Sequence, residues 1–137
     1  MIDIDKFIVE LPFVNGLTPD LYDQLQPTIR KIQEHALERA RLNAPIHDGT
    51  FRESIFVEPS LEKNAIVFDF GSSSPLPETL RLHEAEYQLG PISEAQPGTV
   101  EGGVGNKFFT RVIDYWALTW TDLIVDAMMD IIDESII

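Results

Sequence analysis

The sequence predicts an α+β domain, with a long N-terminal helix, a small antiparallel or mixed β-sheet, and a long C-terminal helix packed on one face. Three observations predict it. Two stretches, one toward each end, carry apolar residues at helical spacings of three and four. Between them lie two compact β-prone runs. The order of helix, strands, loop and helix keeps the element types in separate blocks instead of alternating them. At 137 residues the chain has single-domain length, enough to bury a core without metals or disulfides.

Residues 1–17 contain Ile2, Ile4, Phe7, Ile8, Val9 and Leu11 in partial alternation, stopped by Pro12, and read as a short strand or as an arm laid on a neighbour. Thr18 suits a helix N-cap, Pro19 the first helical position, and Leu17 a staple against Tyr22. Leu21, Leu25, Ile29, Ile32, Ala36 and Ala40 then form a helical stripe to about Asn43. Pro27 lies inside it and predicts a kink, or a short lead followed by a main helix from Thr28. Ala44-Pro45 ends the helix and His47-Asp48-Gly49 supplies a turn. Ser54–Val57 and Ala65–Phe70 are the strand runs, joined by a hairpin loop spanning 58–64. Gly71-Ser72-Ser73-Ser74-Pro75-Leu76-Pro77 reads as a linker or exposed loop, and Leu80–Leu89 as either strand or a helical turn or two. Residues 90–106 hold five of the eight glycines and read as a flexible loop, functional or waiting for a partner. The helical period returns from Lys107 to about Glu134. One stripe runs through Phe108, Val112, Trp116, Trp120, Leu123, Ala127 and Ile131, with Phe109, Ile113, Ile124, Met128 and Ile132 beside it.

Charge narrows the function. Twenty-three acidic against ten basic residues leave −13 at pH 7, which repels phosphate backbones and anionic lipid. Only Arg39, Arg41 and Arg52 stand to gather, around the turn after the first helix, so specific nucleic-acid binding is disfavoured. With no cysteine there is no disulfide, thiolate zinc site or thiol nucleophile. The acidic start, Met1 to Lys6, does not read as a signal peptide, and Asp122, Asp126 and Asp130 interrupt the most apolar region. The expectation is a soluble protein with no membrane contact.

Catalytic motifs fail on spacing. Gly102-Gly103-Val104-Gly105-Asn106-Lys107 places Asn106 between glycine and lysine and follows with Phe108, where a phosphate loop needs Gly-Lys and then Ser or Thr. His35, His47 and His83 have no second histidine at ligand spacing, so no metal is expected. His35 reads as riding a helix flank, His47 as a turn residue and His83 as a polar tip at a sheet edge. No Gly-x-Ser-x-Gly elbow is present, and Glu84 and Glu86 beside His83 are a pairing expected by chance among so many acids. The reading is not an enzyme, with no cofactor. Asp122, Asp126 and Asp130 repeat every four residues; they are either a plain solvated face or a surface that must not adhere to nucleic acid, such as the wall of a DNA passage. Arg39, Arg41 and Arg52 pair with local acids, or else receive an acidic neighbouring subunit.

The stretch Ala44-Pro45-Ile46-His47-Asp48-Gly49-Thr50-Phe51-Arg52-Glu53-Ser54-Ile55 resembles a recurrent signature of small tailed-phage neck proteins, the tail-completion, head–tail joining or minor tail proteins. In that pattern a long helix ends in Ala-Pro, an apolar residue and Asp-Thr-Gly follow, and apolar-Arg-x-Ser-Ile enters a strand. Here His47-Asp48 stands where Asp-Thr is usual. Leu80–Glu84 resembles a second family segment without its Tyr-Ala, and Val104–Phe109 is similar to the Phe-Leu opening of the family's last helix. The resemblance spans about residues 20–125, by order of elements and motif placement.

The resemblance implies a structural virion protein, assembled in the host cytoplasm. It would be a homo-oligomer, a hexameric ring at the neck or head–tail interface that acts as tail terminator or adaptor and contacts connector and tail-tube proteins. DNA would pass without specific binding. Asp122, Asp126 and Asp130 are then candidates for an acidic lumen. Arg39, Arg41 and Arg52, with Gly98, Gly102, Gly103 and Gly105 of the loop, become interface candidates. The competing class is an acidic inhibitor that mimics nucleic acid and blocks a DNA-binding enzyme.

Overall fold

The computed structural model describes residues 2–10, 19–46 and 49–136. Leu17, Thr18, His47 and Asp48, on which a staple, a cap and part of the turn were expected, lie outside the described residues. Strand β1 (Ile2–Glu10) is followed by helices α1 (Pro19–Gln24), α2 (Gln26–Asn43) and the single turn α3 (Thr50–Ser54). The hairpin β2 (Ile55–Glu62) and β3 (Ala65–Ser72) leads to α4 (Leu76–Glu84), the short α5 (Pro91–Glu94) and the 29-residue α6 (Phe108–Ile136). The fold is α+β, with a three-stranded antiparallel sheet in the order β1-β3-β2.

Register puts the core on one face of the sheet. Phe7 lies opposite Phe68, Val9 opposite Ile66, and Val57 opposite Phe70, so strand alternation gathers these side chains on a common surface. Leu25 at the start of α2, Ile29, Ile32 and Ala36 of α2, and Phe109, Trp120, Ile124 and Met128 of α6 cover that surface. Ala36, Ala40 and Ala44 have no exposed surface. Their small side chains let α2 lie close to the sheet and to α6, where a larger residue costs about 1–3 kcal/mol in overpacking. The opposite face carries the Lys6–Asp69 ion pair at 3.5 Å. Ile2–Glu10 are therefore a strand of the chain's own sheet.

Several boundaries differ from the sequence reading. The first helix is split at Leu25, with Pro27 in the opening turn of α2, where its missing N–H costs nothing. The long hairpin loop is instead a two-residue connection, Lys63-Asn64, with Lys63 at φ 53°. Strand β2 runs through Pro59, which is tolerated because β2 is an edge strand. Of the two readings of Leu80–Leu89, the helical one holds as far as Glu84, in a helix that already begins at Leu76. On α6 the expected stripe is buried at Phe108, Val112 and Trp120, but from there the buried row passes to Ile124 and Met128 of the neighbouring row, while Leu123 is 45% exposed. Of the expected linker, Gly71 and Ser72 belong to β3 and Leu76 and Pro77 to α4, and Ser72 is buried.

Candidate functional site

Residues 39–46 and 49–55 form a braced joint between α2 and the sheet. The backbone leaves the helix at Ala44, whose N–H still reaches the carbonyls of Ala40 and Arg41 at 3.1 and 3.3 Å. Gly49 sits at φ 88°, a left-handed conformation that side chains rarely adopt, and its carbonyl starts α3 by accepting from Glu53 N–H at 3.1 Å. Arg52 reaches back from α3 and donates Nε to the Ala44 carbonyl at 2.9 Å and Nη2 to that of Leu42 at 3.3 Å. Arg41 reaches the other way, donating Nη2 to the carbonyls of Glu53 and Ile55 at 3.3 and 3.1 Å. These guanidinium groups thus satisfy carbonyls freed at a helix end and a turn. Ser54 ties the joint to β3 through Ser72 Oγ at 2.7 Å, and Ser74 Oγ, just beyond the strand, donates to Ser54 Oγ at 3.0 Å.

Local acids were expected to pair with the three arginines. Instead, Arg41 and Arg52 bond to backbone carbonyls, and among the described residues neither is in an ion pair. Burial also lowers the Arg52 pKa. Arg39 does find an acid, but a distant one. Its Nε and Nη2 donate to the two carboxylate oxygens of Glu101, both at 2.6 Å.

Glu101 is the centre of a buried polar network. Its side chain also accepts Trp116 Nε1–H at 2.6 Å and Asn43 Nδ2–H at 3.3 Å. Burial pushes its carboxyl pKa up, but the hydrogen bonds from Arg39, Trp116 and Asn43 outweigh this and hold it at about 2. Arg39 is correspondingly raised by the same bond. Arg111 closes the loop from below. Its Nη1 donates to the Glu101 carbonyl and its Nε to that of Asn106, both at 2.9 Å.

The glycines of this segment have separate places. Gly102, at φ 117°, lies so close to Arg111 that an added Cβ would stand 3.0 Å from Nη1. Gly103, at φ 85°, donates its N–H to Thr99 Oγ1 at 2.8 Å, and Gly105 donates to the Asn43 carbonyl at 3.1 Å. Gly98 is exposed with open space around it. Residues 99–106 are therefore packed on their own chain, which counts against a loop that waits to order on a neighbour. Glu101, Asn43, Trp116 and Arg111 were missed from sequence. One signal was available, since Glu101 is the only charged residue between Gly98 and Asn106.

The histidines are packing residues. His83 is 1% exposed on α4 and lies between the rings of Phe108 and Phe109, with centroids at 4.9 and 5.3 Å, so it is no polar tip at a sheet edge. Burial, with Lys107 adding to it, lowers its pKa to about 4; the ring is neutral near pH 7 and its Nδ1 bonds to Glu84 at 3.1 Å. Glu84 also pairs with Lys107, whose N–H donates to the His83 carbonyl at 2.6 Å. His35 does more than ride a flank: its Nδ1 accepts Trp120 Nε1–H at 3.1 Å, and Trp116 meets its ring edge-on at 4.5 Å.

Asp122, Asp126 and Asp130 all face solvent on α6. Among the described residues none of them is in an ion pair. Tyr115, Leu118 and Met129 are exposed on the same side of the helix, Leu118 by 75%. A cleft of about 530 Å³ opens between the joint and α4, lined by Phe51, Leu82 and Tyr87 among others. Burial raises the Tyr87 hydroxyl to about 12, and it donates to the Leu82 carbonyl at 2.6 Å. Among the described residues no group of three His, Asp or Glu gathers as a metal site, and no helix is long and apolar enough to cross a membrane. Comparison with protein-family models, curated proteins and solved structures finds no match for this chain.

Proposed function

We propose that this chain is a structural virion protein of a tailed phage, a ring-forming neck or tail-completion subunit that joins tail to head connector and lets DNA pass. The observation that carries the reading is the joint formed by residues 44–46 and 49–55. The positions that bear the family resemblance, Ala44, Gly49, Arg52, Ser54 and Ile55, each have a mechanical task there: helix end, left-handed reversal, carbonyl clamp, tie to β3 and buried strand start. A pattern needed to build such a joint supports kinship more than a chance string does. The outward row of Asp122, Asp126 and Asp130 fits a subunit whose surface must not hold DNA, and six copies multiply the charge of −13. Catalysis is not part of the reading, since His83 is enclosed by aromatic rings and Glu84 is tied to Lys107.

The acidic inhibitor shares the charge but has no need of the joint. Electron microscopy of a lysate in which this chain is not made separates the two. Filled heads apart from tails establish the neck role, and tails of uncontrolled length select terminator over adaptor. Normal joined infectious particles overturn the structural reading and turn attention to binding of a basic nuclease or polymerase.

A further inference from the structure

The geometry points to a head-to-tail contact between copies of this chain, in which the Leu118–Asp122 edge of α6 from one copy seats in a groove on α2 of the next. This inference rests on the ring reading and names the two surfaces that such a ring would use. The groove has a volume of about 370 Å³ and is lined by Glu34, Leu37, Glu38, Arg41, Leu42 and Arg52. It has an apolar floor at Leu37 and Leu42, Leu42 itself being 37% exposed.

Shape and charge both select α6 as the occupant. Leu118, 75% exposed, has the largest exposed fraction among the large apolar side chains described. Residues four apart on a helix form a ridge, so Leu118, Asp122, Asp126 and Asp130 stand in one row. The groove on α2 runs between the row Glu34, Glu38, Leu42 and the neighbouring Leu37 and Arg41, an arrangement that accepts such a ridge. Its two ends differ. Glu34 lies toward the middle of α2, whereas Arg41 and Arg52 stand at the carboxyl end, where Arg52 holds the carbonyls of Leu42 and Ala44.

Arg41 and Arg52 are bonded to carbonyl dipoles and, among the described residues, have no carboxylate within ion-pair distance. Their charges therefore remain available to an acid from outside. Laying Leu118 against Leu37 and Leu42 brings Asp122 to that basic end and keeps it from Glu34. The reverse orientation sets acid against acid. A symmetric pairing of two α6 helices is disfavoured for the same reason, since it brings two rows of aspartates together. The remaining solution is heterologous, the kind of contact that generates rings when its rotation closes. Ridges of this class cross at about 50°, so contact is confined to about two turns and Asp126 and Asp130 run clear toward solvent.

The chain has no cysteine, so engineered thiols report one contact at a time. Leu118→Cys and Leu42→Cys chains are mixed at equal concentration and joined by mild oxidation or a short bis-maleimide. The expected product is a dimer holding one chain of each kind, with neither variant cross-linking alone. A chain carrying both substitutions then gives a ladder of covalent oligomers, and adding Asp122→Lys to the Leu118→Cys chain suppresses the mixed dimer. Dimers from Leu118→Cys alone would overturn the inference in favour of a symmetric α6 pair. Absence of the mixed product, whether sedimentation shows multimers or monomers, overturns it as well. Neither result bears on the neck reading, which particle morphology decides independently.

Discussion

Arg39 and Glu101, 62 residues apart in sequence, meet as a two-pronged ion pair with both nitrogen–oxygen distances at 2.6 Å. The pair fastens the glycine-rich loop to α2, and Trp116 extends it to α6. One carboxylate thus holds three segments together. With the Glu101 side chain fully enclosed, its charge is stable only while these donors stay in place.

Replacing Glu101 with Gln removes the negative charge and leaves Arg39 partly buried without a counter-ion. The expected loss is about 3 kcal/mol, the scale for breaking a buried pair from one side. Urea unfolding measures it. Hydrogen exchange should show faster amides at Gly103 and Gly105, whose bonds to Thr99 and Asn43 depend on the same network. An unchanged midpoint would mean that the network is dispensable.

Two glycines of the loop should respond differently to alanine. Gly102→Ala places a Cβ against Arg111 at a φ of 117°, with an expected cost of about 1–3 kcal/mol. Gly98→Ala meets open space and should stay within about 0.5 kcal/mol of the parent. Thermal melts of the two variants check the contrast, and equal effects would contradict the assigned backbone.

Acid should destabilise the protein in two windows. His83 is lowered from 6.5 to about 4, so between those values the unfolded chain binds a proton that the folded chain refuses. Its contribution is fully present above pH 6.5 and is lost as pH falls to about 4. Glu101, lowered from 4.5 to about 2, contributes above pH 4.5 and loses that contribution as pH falls to about 2. Each amounts to something on the order of 3 kcal/mol. His83→Phe should flatten the upper part of the stability–pH curve and leave the lower part intact. If the slope between pH 4 and 6.5 survives, another group is responsible.

The aspartate row should cost stability. Changing Asp122, Asp126 and Asp130 together to Asn relieves two like-charge pairs at four-residue spacing, each unfavourable by about 0.2–0.5 kcal/mol. The variant is expected to melt slightly higher, with the gain shrinking as salt screens the charges. If Asp126 and Asp130 face passing DNA, changing these two alone to Asn should lower infectivity of assembled particles while leaving their morphology normal.

The sequence by itself determined what depends on neighbours in the chain. Spacings of three and four marked α2 and α6, β-prone runs marked the hairpin, and Pro27 marked the break before the main helix. The acidic row was equally legible, since residues four apart share a helix face wherever the helix lies. Tertiary structure decided what depends on partners far along the chain. Arg39 was expected to find a local acid and instead found Glu101, while Arg41 and Arg52 took carbonyls left open by the turn. His83 was expected at an edge and became an enclosed neutral ring, because α4 packs it between Phe108 and Phe109. The loop 90–106 looked free because glycine composition reports only backbone freedom. A single buried carboxylate with four donors overrides that freedom, and neither its burial nor its partners is encoded in local spacing.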